Sequence, residues 1–151
     1  MSELFETLKS FFFNDEWFYV EVDERPLLRL NHWGENGRFS CQAEVNETQQ
    51  IFYFYSYFPV NVPPAKQAAV AELITRANYG MRVGNFELDY EDGEVRFKTS
   101  IDVENVELTH ALVSNHVYAN VWTMDRYLPA LFAVIYGSAS PLDAANQIEE
   151  Q

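Results

Sequence analysis

Five carboxylates crowd one short stretch, Glu87, Asp89, Glu91, Asp92 and Glu94, around Gly93. Acids beside a glycine could hold calcium. An EF-hand loop, however, needs acidic oxygens at positions 1, 3 and 5, Gly at 6 and Glu at 12. With Gly93 at position 6, those places fall on Leu88, Tyr90, Asp92 and Thr99, so the pattern fails at most liganding positions. The three histidines, His32, His110 and His116, offer no better site. Two metal ligands on one helix face stand three or four apart, whereas His110 and His116 are six apart, about 240° around a helix. Cys41 is the only cysteine, which excludes an internal disulfide and a CxxC site. His32 could approach Cys41 across a hairpin, but nothing nearby in the sequence would orient a base, and a lone thiol is commonly a small core residue. No glycine-rich phosphate loop, GxSxG elbow or dinucleotide fingerprint is present. The residues select no catalytic group, metal or cofactor.

The more informative run is Ile51 to Phe58, where aromatic side chains occupy both faces of one strand. A strand with one wet face alternates apolar and polar residues. Here Phe52, Phe54 and Phe58 form one face and Ile51, Tyr53, Tyr55 and Tyr57 the other. Either the strand is central and covered on both sides, or its tyrosine face meets a partner, since tyrosine is enriched at interfaces.

Around this strand the periods change in order. Leu4, Phe5, Leu8, Phe11 and Phe12 make one helical stripe, with Ser2 as its cap. From Trp17 to Phe58 the period is two, giving strands near 17–22, 27–33, 38–45 and 50–58. A two-residue loop at Asn36-Gly37 would set Leu28 opposite Val45, Leu30 opposite Ala43, His32 opposite Cys41 and Arg29 opposite Glu44. Pro63 and Pro64 then open a helix that presents Val70, Leu73, Ile74 and Ala77 and ends at Gly80. A second two-residue loop at Asp92-Gly93 would pair Leu88 with Phe97, Asp89 with Arg96 and Glu87 with Lys98.

A long helix follows from about Thr109 to Tyr136. Val113, Val117, Val121, Met124, Leu128, Leu131 and Ile135 form one stripe, and Tyr118, Trp122, Phe132 and Tyr136 a second. A helix so poor in charge is expected to be covered on both flanks, and Pro129 is expected to kink or break it. Ser140-Pro141-Leu142-Asp143 can open a last short helix. Residues 1–137 thus read as one domain, with 138–151 a tail or short frayed helix.

Composition limits the partners. With 151 residues, 48% of them hydrophobic, one domain can build a core without staples. Acidic residues number 23 against 10 basic, a net charge of -13. Such a surface repels nucleic acid and anionic membrane, whose binding rests on Lys and Arg. The N-terminus lacks the basic and apolar regions of a signal peptide, and no run suggests a membrane span. A cytoplasmic protein is expected.

The stretch from Ile74 to Asp89, continuing through Asp92-Gly93 to Phe97, resembles the signature of the YbjN family. Asn78, Gly84, Phe86, Glu87, Asp89 and Gly93 fill its places, and Pro59 with Pro63, Asp125 with Pro129, and Gly137 also agree. The resemblance covers residues 4–137. It implies a bacterial sensory transduction regulator whose fold is like that of type III secretion chaperones, which are small acidic dimers that bind polypeptides and catalyse nothing. The matching positions are packing and turn residues, so no catalytic residue carries over.

The expected fold is α+β, an antiparallel sheet with helices on one face in the order α-ββββ-α-ββ-α. The leading function is a non-enzymatic, chaperone-like or regulatory protein-binding module, a homodimer with an unidentified protein partner. Tyr53, Tyr55, Tyr57, Tyr118 and Trp122 are its candidate contact residues. The alternative is a small-ligand sensor or enzyme with a pocket between the sheet and the long helix; a DNA-mimicking acidic surface comes third.

Overall fold

A computed structural model describes residues 3–150. Helix α1 (Glu3–Asn14) buries Phe5, Leu8, Phe11 and Phe12, as its stripe requires; the cap expected from Ser2 lies outside the described residues. Strands β1 (Tyr19–Glu21), β2 (Leu27–Trp33), β3 (Arg38–Asn46) and β4 (Ile51–Tyr57) form a meander. Helix α2 (Pro64–Asn78) crosses to β5 (Asn85–Leu88) and β6 (Val95–Asp102), followed by α3 (His110–Tyr136) and α4 (Pro141–Glu149). The six strands make one antiparallel sheet in the order β1-β2-β3-β4-β6-β5, with β4 inside it.

Helices lie on one face of the sheet only. Phe52 and Phe54 of β4, Phe97 of β6 and Leu28 of β2 point toward them and are fully or almost fully buried. Burying one such side chain contributes roughly 1.5–3 kcal/mol, so this layer dominates the core. Within it Asn120 of α3 is wholly buried. Its amide donates to the Phe54 carbonyl at 2.9 Å, the Phe97 carbonyl at 3.0 Å and Thr99 Oγ1 at 3.3 Å, and its oxygen accepts from Ser56 Oγ. A buried polar side chain is tolerable only when so satisfied, and these bonds fix α3 over β4 and β6.

Both hairpin registers differ from the expected ones by two residues. In the first, Leu28 faces Ala43, Leu30 faces Cys41, His32 faces Phe39 and Arg29 faces Gln42. The tip is Glu35-Asn36, closed by Gly34 N–H donating to the Gly37 carbonyl at 2.9 Å. The cause is tertiary: the Asp125 carboxylate of α3 accepts the backbone N–H groups of Glu35 (3.1 Å) and Asn36 (2.9 Å). A Cβ at position 34 would lie 2.1 Å from Asp125 Oδ1, so glycine permits this approach.

In the second hairpin Leu88 faces Val95, Phe86 faces Phe97 and Glu87 faces Arg96. Asp89 N–H donates to the Glu94 carbonyl and Gly93 N–H to the Asp89 carbonyl, which lengthens the loop to residues 90–93. The side chains of Asp89 and Asp92 accept the N–H groups of Glu91 and Glu94, bending the loop locally. Gly93 (φ 81°) packs so tightly that a Cβ would meet the Val62 carbonyl oxygen at 2.1 Å. Because both shifts are even, every side chain keeps its predicted face.

Pro129 does not break α3, which runs unbroken to Tyr136. Its missing N–H frees the Asp125 carbonyl, and Asn36 Nδ2 donates to that oxygen at 3.1 Å. Nor are both flanks of α3 covered. The valine and leucine stripe is buried, while Trp122 and Tyr136 of the second stripe are exposed. Helix α4 is capped by Ser140 Oγ, buries Ala144, Ala145 and Ile148, and packs on α2 and α3. Arg126 Nη2 donates to the Ile148 carbonyl at 2.9 Å.

Candidate protein-binding surfaces

The five candidate residues fall on two separate surfaces. Tyr53, Tyr55 and Tyr57 stand on the sheet face that carries no helix. They form a ladder, with ring centroids 6.1 Å apart between Tyr53 and Tyr55 and 6.2 Å between Tyr55 and Tyr57. Tyr55 is buried among its own neighbours, and its flanking tyrosines are half-buried. Arg96 lies 4.3 Å over the Tyr55 ring and donates to Glu87 at 2.7 Å, while Lys98 reaches the other Glu87 oxygen at 3.4 Å. Tyr57 Oη donates to Gln42 at 3.2 Å. Burial pushes the Tyr55 phenol up to about 12 and raises that of Tyr57, so both are neutral donors at physiological pH.

Charge sets this face apart. Strand pairing places Arg29, Arg38, Arg96 and Lys98 on it, together with Glu44, Glu87 and Asp102, and the Asp89–Glu94 pair extends it at the hairpin end. Four cations meet five carboxylates on a chain whose net charge is -13. The face is close to neutral while the rest of the molecule is strongly anionic.

Tyr118 and Trp122 lie on the other side, in an aromatic cluster where α3 meets the end of α1. Their rings are 5.3 Å apart, Tyr118 lies 6.2 Å from Trp17, and Trp17 stacks on His32 at 5.7 Å. At the edge of β2 that β1 leaves unpaired, Trp33 and Phe18 border the same cleft, although Trp33 springs from the tyrosine face, opposite Arg38. Phe18 is 84% exposed, Trp33 70% and Trp122 65%. Burial lowers the His32 pKa, partly opposed by the nearby Asp125 carboxylate, so the ring is neutral near pH 7.

The local fold explains how α1 delivers Trp17 here. The helix ends with Glu16 N–H donating to the Phe13 carbonyl and Trp17 N–H to the Phe12 carbonyl, the two bonds of a Schellman turn. Its left-handed position is Glu16, with φ 62°. Glycine is usual there, and another residue costs roughly 1–2 kcal/mol. The hydrophobic contact typical of the turn is Trp17 against Phe12, 5.5 Å between rings. Asp15 Oδ2 then accepts from Trp17 Nε1 at 3.0 Å and from the Tyr118 hydroxyl.

The sequence did not single out Trp17, Phe18 or Trp33 as surface. Trp33 shares the register of Arg29 and Asn31, so a tryptophan on a wet strand face was the available signal. The histidines are dispersed: His110 packs edge-on to Phe11, and His116 Nδ1 donates to the Leu112 carbonyl at 2.8 Å beside Phe52. His32 faces Phe39, not Cys41, whose thiol lies buried 3.6 Å from Ser56 Oγ. The carboxylates around Gly93 serve the hairpin turn and the Glu87 ion pairs.

An open antiparallel sheet with helices on one face and exposed aromatic surface defines a small α+β fold of the type III secretion chaperone kind. The sequence model of the YbjN family, described as "Putative bacterial sensory transduction regulator", matches residues 6–133, and the chain belongs to that family. The fold is similar to the crystal structure of YbjN, a "putative transcription regulator" from E. coli, with a TM-score of 0.62 and 14% identity over 80% of this chain and 84% of that one. It is also similar to a chain of the HopA1-SchA chaperone-effector complex, with a TM-score of 0.50 and 19% identity over 82% of this chain and 91% of that one. No curated protein sequence matches the chain.

Proposed function

We propose that this protein is a non-enzymatic regulatory module of the cytoplasm that binds another polypeptide and works as a homodimer. The observation that carries the reading is the gathering of Phe18, Trp33, Tyr118 and Trp122 around two neighbouring clefts at the edge of β2 and α3. Large exposed aromatics in one patch suit protein contact, where Trp and Tyr dominate binding energy. The chaperone-effector complex among the similar structures supports a polypeptide partner. Net charge disfavours nucleic acid and anionic membrane, and no described helix is long and apolar enough to cross a membrane. The space between sheet and α3, where an enzyme or ligand sensor would need a pocket, is packed with Phe54, Phe97, Val121 and Asn120.

The near-neutral tyrosine face supports self-association. Strong net charge keeps copies apart, and on this face the opposing charges nearly balance, so two copies can approach with little repulsion. A two-fold contact also suits a face on which both signs recur, since each cation can meet the other copy's carboxylate. A photocrosslinking residue at position 122 is expected to capture a different polypeptide in native lysate, and one at position 57 a second copy. Sedimentation at micromolar concentration should show a dimer that Lys98→Glu weakens by tilting the face toward negative charge. A monomer throughout removes the dimer, and no discrete adduct from position 122 removes the partner surface.

A further inference from the structure

The aromatic surface contains a cleft whose chemistry specifies its occupant more narrowly than protein binding alone. We propose that this cleft, at the C-terminal end of α1, receives an arginine or lysine side chain of the partner polypeptide. The inference rests on the protein-binding reading above and adds what the partner must carry.

The cleft measures about 310 Å³ and is lined by Asp15, Glu16, Trp17, Phe18, Trp33 and Tyr118, among others. Ligand pockets span about 300–1,000 Å³, so this one fits a single side chain better than a whole metabolite. Trp17 and Tyr118 line it from the helix side, Phe18 and Trp33 border it at the edge of β2, and aromatic rings attract a cation. One such contact is already made beside the cleft, where Arg38, the cross-strand neighbour of Trp33, sits 5.2 Å over its ring on the tyrosine face.

Charge points the same way. Asp15 and Glu16 follow directly on α1, at the end where the helix dipole is negative and cations are favoured. The last turn of α1 holds no basic residue. Among the described residues neither carboxylate forms an ion pair. Asp15 Oδ2 is occupied by Trp17 and Tyr118 while its Oδ1 takes no hydrogen bond among the described residues. His32, which also lines the cleft, is kept neutral near pH 7 by burial and supplies no counter-charge. Glu16 moreover occupies a left-handed position that glycine would fill without strain. Two carboxylates thus stand where the helix disfavours them, beside rings that favour a cation. A basic side chain relieves that mismatch, and an anionic or neutral one does not.

The chain's own tryptophans read the test. Trp17, Trp33 and Trp122 are its only three, and all border this cleft or the surface beside it. The full chain is titrated with acetylated, amidated hexapeptides Ala-Gly-Leu-X-Gly-Ala, where X is Arg, Lys, Gln or Glu, while tryptophan emission is followed. The Arg and Lys peptides should saturate and bind at least about tenfold more tightly than the Gln peptide, with no binding of the Glu peptide. Raising salt to 0.5 M should weaken them, as a partly exposed ion pair requires. Glu16→Gln should lower affinity severalfold with the thermal midpoint unchanged or raised, so that loss of binding is not loss of fold.

Equal binding of the Gln and Arg peptides, or an undiminished Glu16→Gln variant, overturns the proposal. Free N-acetyl-arginine amide binding as tightly as the peptide overturns the polypeptide source of the cation. A partner captured from position 122 while the basic peptides fail sinks this inference and leaves protein binding standing. Basic peptides that bind while no partner is captured leave the cleft's chemistry intact and sink the wider reading.

Discussion

Asn36 donates twice to Asp125, once from its backbone and once from its side chain. The Asn36 backbone N–H donates to Asp125 Oδ1 at 2.9 Å, and the Asn36 side chain donates to the Asp125 backbone carbonyl at 3.1 Å. That carbonyl is the one Pro129 leaves without its helical donor. A hairpin tip therefore caps the middle of a helix, and the helix in turn fixes where the hairpin turns. This pair ties the β2–β3 arm to α3 beside the cleft that Trp33 and Trp122 both border.

The coupling is measurable by urea denaturation. Asn36→Ala should cost about 1 kcal/mol, the usual net value of one hydrogen bond. In a Pro129→Ala background the helix supplies its own N–H to the same carbonyl, so Asn36→Ala should then cost clearly less. Additive costs would show that Asn36 stabilises the tip by another route.

Glu16 should trade stability for surface chemistry. Glu16→Gly removes the left-handed penalty at the end of α1 and should raise stability by about 1 kcal/mol, measured as a higher urea midpoint. Destabilisation would mean that the Glu16 side chain makes contacts worth more than the strain.

Much of the fold is legible from period alone, for a physical reason. Alternation from Trp17 to Phe58 and the three-four spacing of α3 are imposed by burial of one face, so element positions follow. Parity survives as well, since a slip of one residue would expose every core side chain. The hairpin tips were not legible because distant groups set them: Asp125 draws in Glu35 and Asn36, and Val62 packs onto Gly93. The same holds for Asn120. It sits three residues after Val117 on the buried stripe, where the pattern calls for an apolar side chain, and only the strand carbonyls explain it. Of the candidate surface, the tyrosine ladder could be read because it is one strand. The cleft joins residues about a hundred positions apart, Asp15 and Trp17 with Tyr118, and no local pattern announces it.

His32 makes the fold sensitive to mild acid. Burial against Trp17 and Phe39 lowers its pKa below the ordinary 6.5. Below pH 6.5 the unfolded chain takes up a proton that the folded chain still refuses, so protonation favours unfolding. Its contribution is fully present above that pH and is lost as pH falls through the folded value. Compared with His32→Gln, the wild type should lose stability between pH 7.5 and 5.5, and the His32 ring should titrate by NMR below 6.5. A midpoint at or above 6.5 would contradict the burial argument.

Cys41 should behave oppositely, at the alkaline end. Its thiol is buried on the helix side of β3, and burial pushes its pKa up to about 12, opposed in part by the Ser56 hydroxyl. The thiolate is the reactive form, so at pH 8 the native protein should resist Ellman's reagent and react fully in urea. The linkage sign follows from the same shift. The unfolded thiol ionises near 9.0, and between there and about 12 only the unfolded state loses the proton. Stability therefore falls as pH rises through that window. Cys41→Ala should lose less stability than the wild type between pH 8 and 10, although the small cavity makes it less stable at neutral pH. Rapid labelling of the native thiol would show instead that the sheet opens at β3 far more readily than its packing against α1 allows.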